Sequence, residues 1–201
     1  EESLNALKQN FADKPELIDV PEERCFVGFD AYKEAMDALR PGDIAIFASP
    51  LAFRWVHYQY AIDKGLHVFM EKPLISDGPS AKRMLELAKK ADEKNLKTAV
   101  GLMVRHCRGR QELHQRIQDG EIGEVIAIEE NFLRAPYGVT ERQPGHSELE
   151  WQCSTQYHFT WLSGDHIVEQ HVNNIDGANW VFNEHPVKAI GAGGRQWRTE
   201  P

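Results

Sequence analysis

The chain has 201 residues, 41% of them hydrophobic and 27% charged, and a formal net charge of −8. That length can bury a sizeable core in one or two domains. No apolar run approaches the roughly 20 residues of a membrane-spanning helix, and the acidic balance argues against a partner whose phosphates need a basic face. A small molecule is therefore the expected partner, with neither nucleic acid nor membrane. Cys25, Cys107 and Cys153 are scattered and odd in number, so neither a disulfide framework nor a C-x-x-C metal or redox pair is expected.

Taken in order, helix and strand signals alternate. Leu4, Leu7 and Phe11 recur at helical spacing, and Pro15 and Pro21 bracket a loop. Residues 25–27 read as a short strand. Asp30 is placed to cap a helix carrying Tyr32, Ala35, Met36 and Leu39, which stops at Pro41-Gly42. The apolar run over 43–48 predicts a strand covered on both faces. A helix from about Phe53 to Lys64 follows, closed by Gly65 as a left-handed cap. Then come a strand over 66–71, a helix from about Pro79 to Glu93 with Asp77 near its cap, and a strand over 98–103. This βαβαβ progression with short connections predicts a doubly wound parallel sheet.

After Arg105 the texture changes, and a domain boundary is expected there, giving domains 1–105 and 106–201. Residues 108–119 predict a helix ending at Gly120. Residues 125–133 alternate like a strand with one polar face, which suits a mostly antiparallel sheet in an α+β domain. Residues 135–163 are rich in Pro, Gly and polar side chains, a helix is expected over 165–182, and 187–192 reads as a further strand.

Two stretches carry chemistry. At the predicted end of the 66–71 strand stand Glu71, Lys72 and Pro73 in succession, and the carboxyl ends of strands are where open α/β sheets bind ligands. The same three residues also suit a solvated turn stiffened by Pro73. In the later helix, Asp165, Glu169, Asn173 and Asp176 recur at spacings of four, four and three, with His166 and His171 on or beside that stripe. An amphipathic helix with its wet side outward produces the same pattern. His158, Asp165, His166, Glu169 and His171 are possible metal ligands, but no spacing among them is a known signature, and no metal is expected. Gly191-Ala192-Gly193-Gly194 follows a strand signal, but Arg195-Gln196-Trp197-Arg198 supplies no helix, so it is a weak dinucleotide fingerprint.

Ile46 to Pro50, the helix with His57, Gly65 to Pro73 and Gly101 to Arg105 together resemble successive signatures of the Gfo/Idh/MocA family of NAD(P)-dependent oxidoreductases. The segment from Gly164 to Trp180 is similar to the version in a bacterial subgroup of sugar-type oxidoreductases, many with a twin-arginine export signal, which leaves cytoplasm and periplasm both open. The resemblance implies a partial Rossmann-type domain followed by a partial substrate-binding and oligomerisation domain. It implies NAD or NADP as cofactor, a sugar or polyol substrate and a homo-oligomer. Ser49 and Pro50 would lie against the cofactor with Phe53, Arg54 and His57 nearby. Glu71 would contact the nicotinamide ribose, Pro73 and Arg105 would belong to the same cofactor-binding set, and Lys72 would hydrogen-bond the reacting oxygen.

In the family pattern D-x-G-x-H-x-x-D, Glu169 takes the first acid position, Asn173 the histidine position and Asp176 the last. An amide cannot act as general acid or base, so any proton must be moved by Lys72, Glu169 or His171. The family's opening strand, G-x-G-x-x-G turn and ribose-binding acid do not precede Glu1, so the sequence reads as truncated at both ends, and this polypeptide alone is expected to bind NAD weakly or not at all. Three functions are compatible with the sequence: an NAD(P)-dependent sugar or polyol oxidoreductase, an NAD-dependent glycoside hydrolase on the same fold, and a non-catalytic binding or assembly protein that keeps the fold.

Overall fold

The computed structural model describes residues 2–138 and 140–194. The 195–198 stretch, where no dinucleotide-type helix is expected, lies outside them. In chain order the main elements are α1 (Glu2–Asn10), α2 (Ala31–Asp37), β1 (Ile44–Phe47), α3 (Arg54–Lys64), β2 (His67–Glu71), α4 (Gly78–Glu93), β3 (Thr98–Gly101), α5 (Met103–His106), α6 (Arg108–Gln118), α7 (Glu148–Ser154), α8 (Thr160–Ser163) and α9 (Val172–Phe182). They fall into two compact units, Glu1–Gly101 with Val139–Asp165, and Leu102–Gly138 with His166–Pro201. Residues 140–165 belong to the first unit and not to the second.

In the first unit, β1, β2 and β3 form a parallel sheet in that order, with Phe47 opposite Met70 and Met70 opposite Val100. Each strand is followed by a helix because the sequence supplies both stop and start signals. Gly65 closes α3 with φ 72°, a left-handed conformation that glycine adopts without a Cβ penalty. Asp77 opens α4 through a reciprocal capping box with Ser80. The core lies under one face of the sheet: Ala45, Phe47, Val68 and Met70 pack with Met36 of α2, Tyr58, Ala61 and Ile62 of α3, and Met84, Leu87 and Ala91 of α4. Tyr58 spends its hydroxyl on Thr98 Oγ1, 2.7 Å away, so its burial leaves no polar group unmet.

Several expectations are corrected here. Ile44 and Ile46 are 63% and 74% exposed, so β1 is covered on one face, not both. Apolar side chains on both faces record what a strand can bury, and only one face finds a layer among the described residues. Residues 25–27 carry no strand, β3 stops at Gly101 and α5 begins at Met103. Asp30 stands at the start of α2 but makes no cap; its carboxylate takes a hydrogen bond from Lys33 Nζ at 2.7 Å. The stretch read as irregular, 135–163, contains α7 and α8, and α7 is opened by a capping box between Ser147 and Glu150.

The helix expected over 165–182 is present but not regular. Asp165 has φ 64°, residues Ile167–His171 form one π-helical turn, and α9 begins only at Val172. The segments 125–133 and 187–192, expected as strands, are not strands among the described residues. Alternating side chains do not make a strand without a partner to complete the ladder, and the mostly antiparallel sheet is not established.

Candidate active site

The carboxyl ends of β1 and β2 bring together most of the residues singled out in the first unit. Ser49 and Pro50 follow β1, Glu71 ends β2, and Lys72 is joined to Pro73 by a cis peptide bond. Arg54, at the start of α3, is 3% exposed. Its Nε and Nη2 donate to the Ser49 carbonyl at 2.9 and 2.7 Å, and its Nη1 donates to the carbonyls of Glu71 and Pro73. Arg54 was expected beside a cofactor; its guanidinium is turned onto the backbone that carries the other candidates. Lys72 is partly buried between the two residues whose carbonyls receive Arg54.

His57 sits one helical turn further along α3. Its Nδ1 is 3.1 Å from Ser49 Oγ, and its ring stacks on Tyr32 at 4.4 Å and lies 6.5 Å from the Phe53 ring. Burial, reinforced by the Arg54 charge, draws its pKa from 6.5 to about 4. The imidazole is therefore neutral at pH 7, a hydrogen-bonding and stacking group and not a cation.

The sign of the pH effect follows from that shift. As pH falls from 6.5 toward 4, the unfolded chain takes up a proton that the folded chain refuses, so stability is lost through that window and is unaffected above it. Allowing for partial solvent screening, the loss amounts to up to about 2 kcal/mol. Urea titrations across that window should show a shallower decline for His57→Phe than for the unaltered chain, and parallel declines would refute the assignment.

Glu71 projects over β3. A Cβ built at Gly101 would come within 2.6 Å of Glu71 Oε2, so glycine keeps open the space in which this carboxylate lies. Because the atom met is the far end of a flexible side chain, Gly101→Ala should displace the carboxylate at little cost to the fold.

In the second unit, Arg105 and Asp176 engage each other, with Nε to Oδ2 at 2.8 Å and Nη2 to Oδ1 at 2.9 Å. The Asp176 carboxylate is thus occupied by a two-point ion pair. Glu169 is 8% exposed, inside the π-helical turn. His171 ends that turn, its ring 4.5 Å from His166 and 6.0 Å from Phe132. Among the described residues, His171 Nδ1 and Asn173 Oδ1 are buried without a hydrogen-bond partner, which buried polar groups rarely tolerate. Tyr137, whose hydroxyl receives hydrogen bonds from Gln170 and Arg134, joins this neighbourhood without having been foreseen. Nothing in the pattern around Tyr137 marks it, because its role depends on a contact across 33 residues. The candidates therefore form two groups, one in each unit.

No family model matches the chain. An inositol 2-dehydrogenase of Corynebacterium glutamicum is 30% identical over 150 residues, 72% of this chain and 43% of its own length. A D-glucoside 3-dehydrogenase of Escherichia coli is 26% identical over 155 residues, 77% of this chain and 40% of that protein. Among solved structures, the myo-inositol 2-dehydrogenase of Lactobacillus plantarum superposes with a TM-score of 0.54 at 22% identity, covering 75% of this chain and 40% of that one. The chain is similar to oxidoreductases of the Gfo/Idh/MocA type. Like them it builds its first unit on a parallel sheet with connecting helices. It spans between 38% and 43% of the length of the curated relatives it matches.

Proposed function

We propose that this chain is part of an NAD(P)-dependent oxidoreductase that moves hydride between a nicotinamide and an alcohol carbon of a cyclic polyol or sugar. The observation that carries this reading is the placement of Glu71 and Lys72 at the carboxyl end of the central strand of a parallel sheet, beside Ser49 and a neutral His57. Relatives named as inositol and glucoside dehydrogenases supply the substrate class.

The residues present fit the nicotinamide riboside end of such a cofactor. Glu71 offers a carboxylate to accept from a vicinal diol, in a space that Gly101 leaves open, and Ser49 offers a hydroxyl alongside flat aromatic surface from Phe53 and His57. A nicotinamide, when bound, accepts or supplies the hydride at its C4. Lys72 then holds the substrate oxygen by a hydrogen bond and stabilises the negative charge that grows there as the hydroxyl proton is released to water. Taken by itself, the second unit offers Asn173 Oδ1 as an acceptor and His171 Nδ1 as a further hydrogen-bonding atom to a hydroxylated ligand. His171 and Glu169 are the groups there able to carry a proton; Asn173 can orient but cannot transfer one.

Two measurements test the reading. The full-length protein, incubated with NAD or NADP and a panel of inositols and glucosides, should give reduced nicotinamide with at least one of them; no reduction across the panel sinks the proposal. Gly101→Ala should weaken reduced-nicotinamide binding about 10-fold to 100-fold, the loss of a hydrogen bond to a charged group, with a melting temperature close to that of the unaltered protein. Unchanged affinity in a fluorescence titration would remove Glu71 from the cofactor site.

A further inference from the structure

We infer that Arg54 is a positioning residue, a clamp that joins the carboxyl ends of β1 and β2 and thereby sets Ser49 relative to Lys72. The catalytic part of this inference rests on the function proposed above; the structural part does not. A guanidinium has five N–H donors in a rigid planar fork. Here three of its nitrogens reach carbonyls at the ends of two neighbouring strands: Nε and Nη2 hold Ser49, while Nη1 holds Glu71 and Pro73.

The location argues against an accidental cation. Arg54 is 3% exposed, and burying a charge is costly unless it is well bonded. It is also the first residue of α3, where the positive end of the helix dipole disfavours a positive side chain. What offsets both costs is the set of carbonyls on which it converges, and these belong to the residues that follow β1 and flank Lys72. No backbone ladder does this job, because the β1–β2 pairing ends at Phe47 and Met70, just short of both loops. The same charge adds to the burial that keeps His57 neutral, so one side chain both holds the loop positions and favours the uncharged ring against Ser49.

Arg54→Lys keeps a charge and an apolar stem but cannot span three acceptors. Amide hydrogen exchange of the chain tests the clamp without reference to activity. The amides of Lys72 and Leu74, next to the carbonyls that Arg54 holds, should exchange at least tenfold faster in the variant. Those of His67 and Val68, bonded to the Asp43 and Lys97 carbonyls at the other end of the sheet, should be unchanged. Exchange that speeds up evenly along β2, or does not change at Lys72 and Leu74, overturns the clamp. Arg54→Gln, which keeps two donors, provides the same readout should Arg54→Lys fold poorly.

In the full-length protein, Arg54→Lys should lower kcat about 10-fold to 100-fold, the scale expected for a reacting group displaced by about 1 Å, while KM for the polyol changes less than about threefold. Full kcat alongside local loosening would overturn the catalytic consequence. A silent Lys72→Ala in the same assay would instead overturn the oxidoreductase reading and leave the clamp standing on its exchange data.

Discussion

Lys72→Ala in the full-length protein is expected to lower kcat for alcohol oxidation by about 10²- to 10³-fold, the usual consequence of removing one donor aimed at a developing oxyanion. The effect should fall on kcat more than on KM, because the hydrogen bond from Lys72 strengthens as charge grows on the substrate oxygen and contributes less before it does. Lys72→Arg should not restore the rate, since a planar fork on a longer stem cannot put its donors where a single ammonium stood. Initial rates at saturating nicotinamide and polyol decide the matter. A kcat within about threefold of the unaltered protein would remove Lys72 from the chemistry and favour a protein that keeps the fold for binding alone.

The second large effect is on stability. Met70 is fully buried in the central strand, opposite Phe47 on one side and Val100 on the other. Met70→Ala should destabilise the chain by about 3 kcal/mol, within the range of about 2–5 kcal/mol for emptying such a site. Ile46→Ala, 74% exposed on the neighbouring strand, should cost less than about 0.5 kcal/mol, as is usual at the surface. Urea unfolding measures both, and a midpoint shift at constant slope for Met70→Ala would show that the native state alone had changed. Equal losses at the two positions would contradict a core that lies under one face of the sheet.

What the sequence made legible is what local physics decides. The parallel sheet, the closing Gly65 and the starting Asp77 were readable because βαβ order, a left-handed cap and a short acceptor before a helix each leave a compositional mark. The Ser147-x-x-Glu150 box leaves an equally local mark, set in a stretch whose Pro and Gly content points to irregular structure. The strands expected over 125–133 and 187–192 show the limit of periodicity, which gives a segment's preference but cannot supply a partner.

The candidate site divides in the same way. Glu71 and Lys72 are legible as candidates because the ends of parallel strands are where such sheets bind ligands. The orientation of Arg54 is not, because nothing in its neighbours indicates that a guanidinium will turn inward onto carbonyls up to 19 residues away. Nor does the sequence announce the π-helical turn at Ile167–His171. That turn breaks the even spacing on which a single stripe of Asp165, Glu169, Asn173 and Asp176 was drawn, and Asp176 is committed to Arg105.

The parallel register has a consequence for how this stretch can change. In β2 the buried positions, Val68 and Met70, alternate with Phe69 and the exposed Glu71, and the chain proceeds directly into Lys72. Deleting or inserting one residue between Val68 and Glu71 would turn every later side chain to the opposite face. Either Met70 would leave the core or the Glu71 carboxylate would enter it. The segment can therefore drift by exchange of one side chain for another but has almost no tolerance for a change of length, whereas the loop after Pro73 can absorb one before Asp77 restarts the helix.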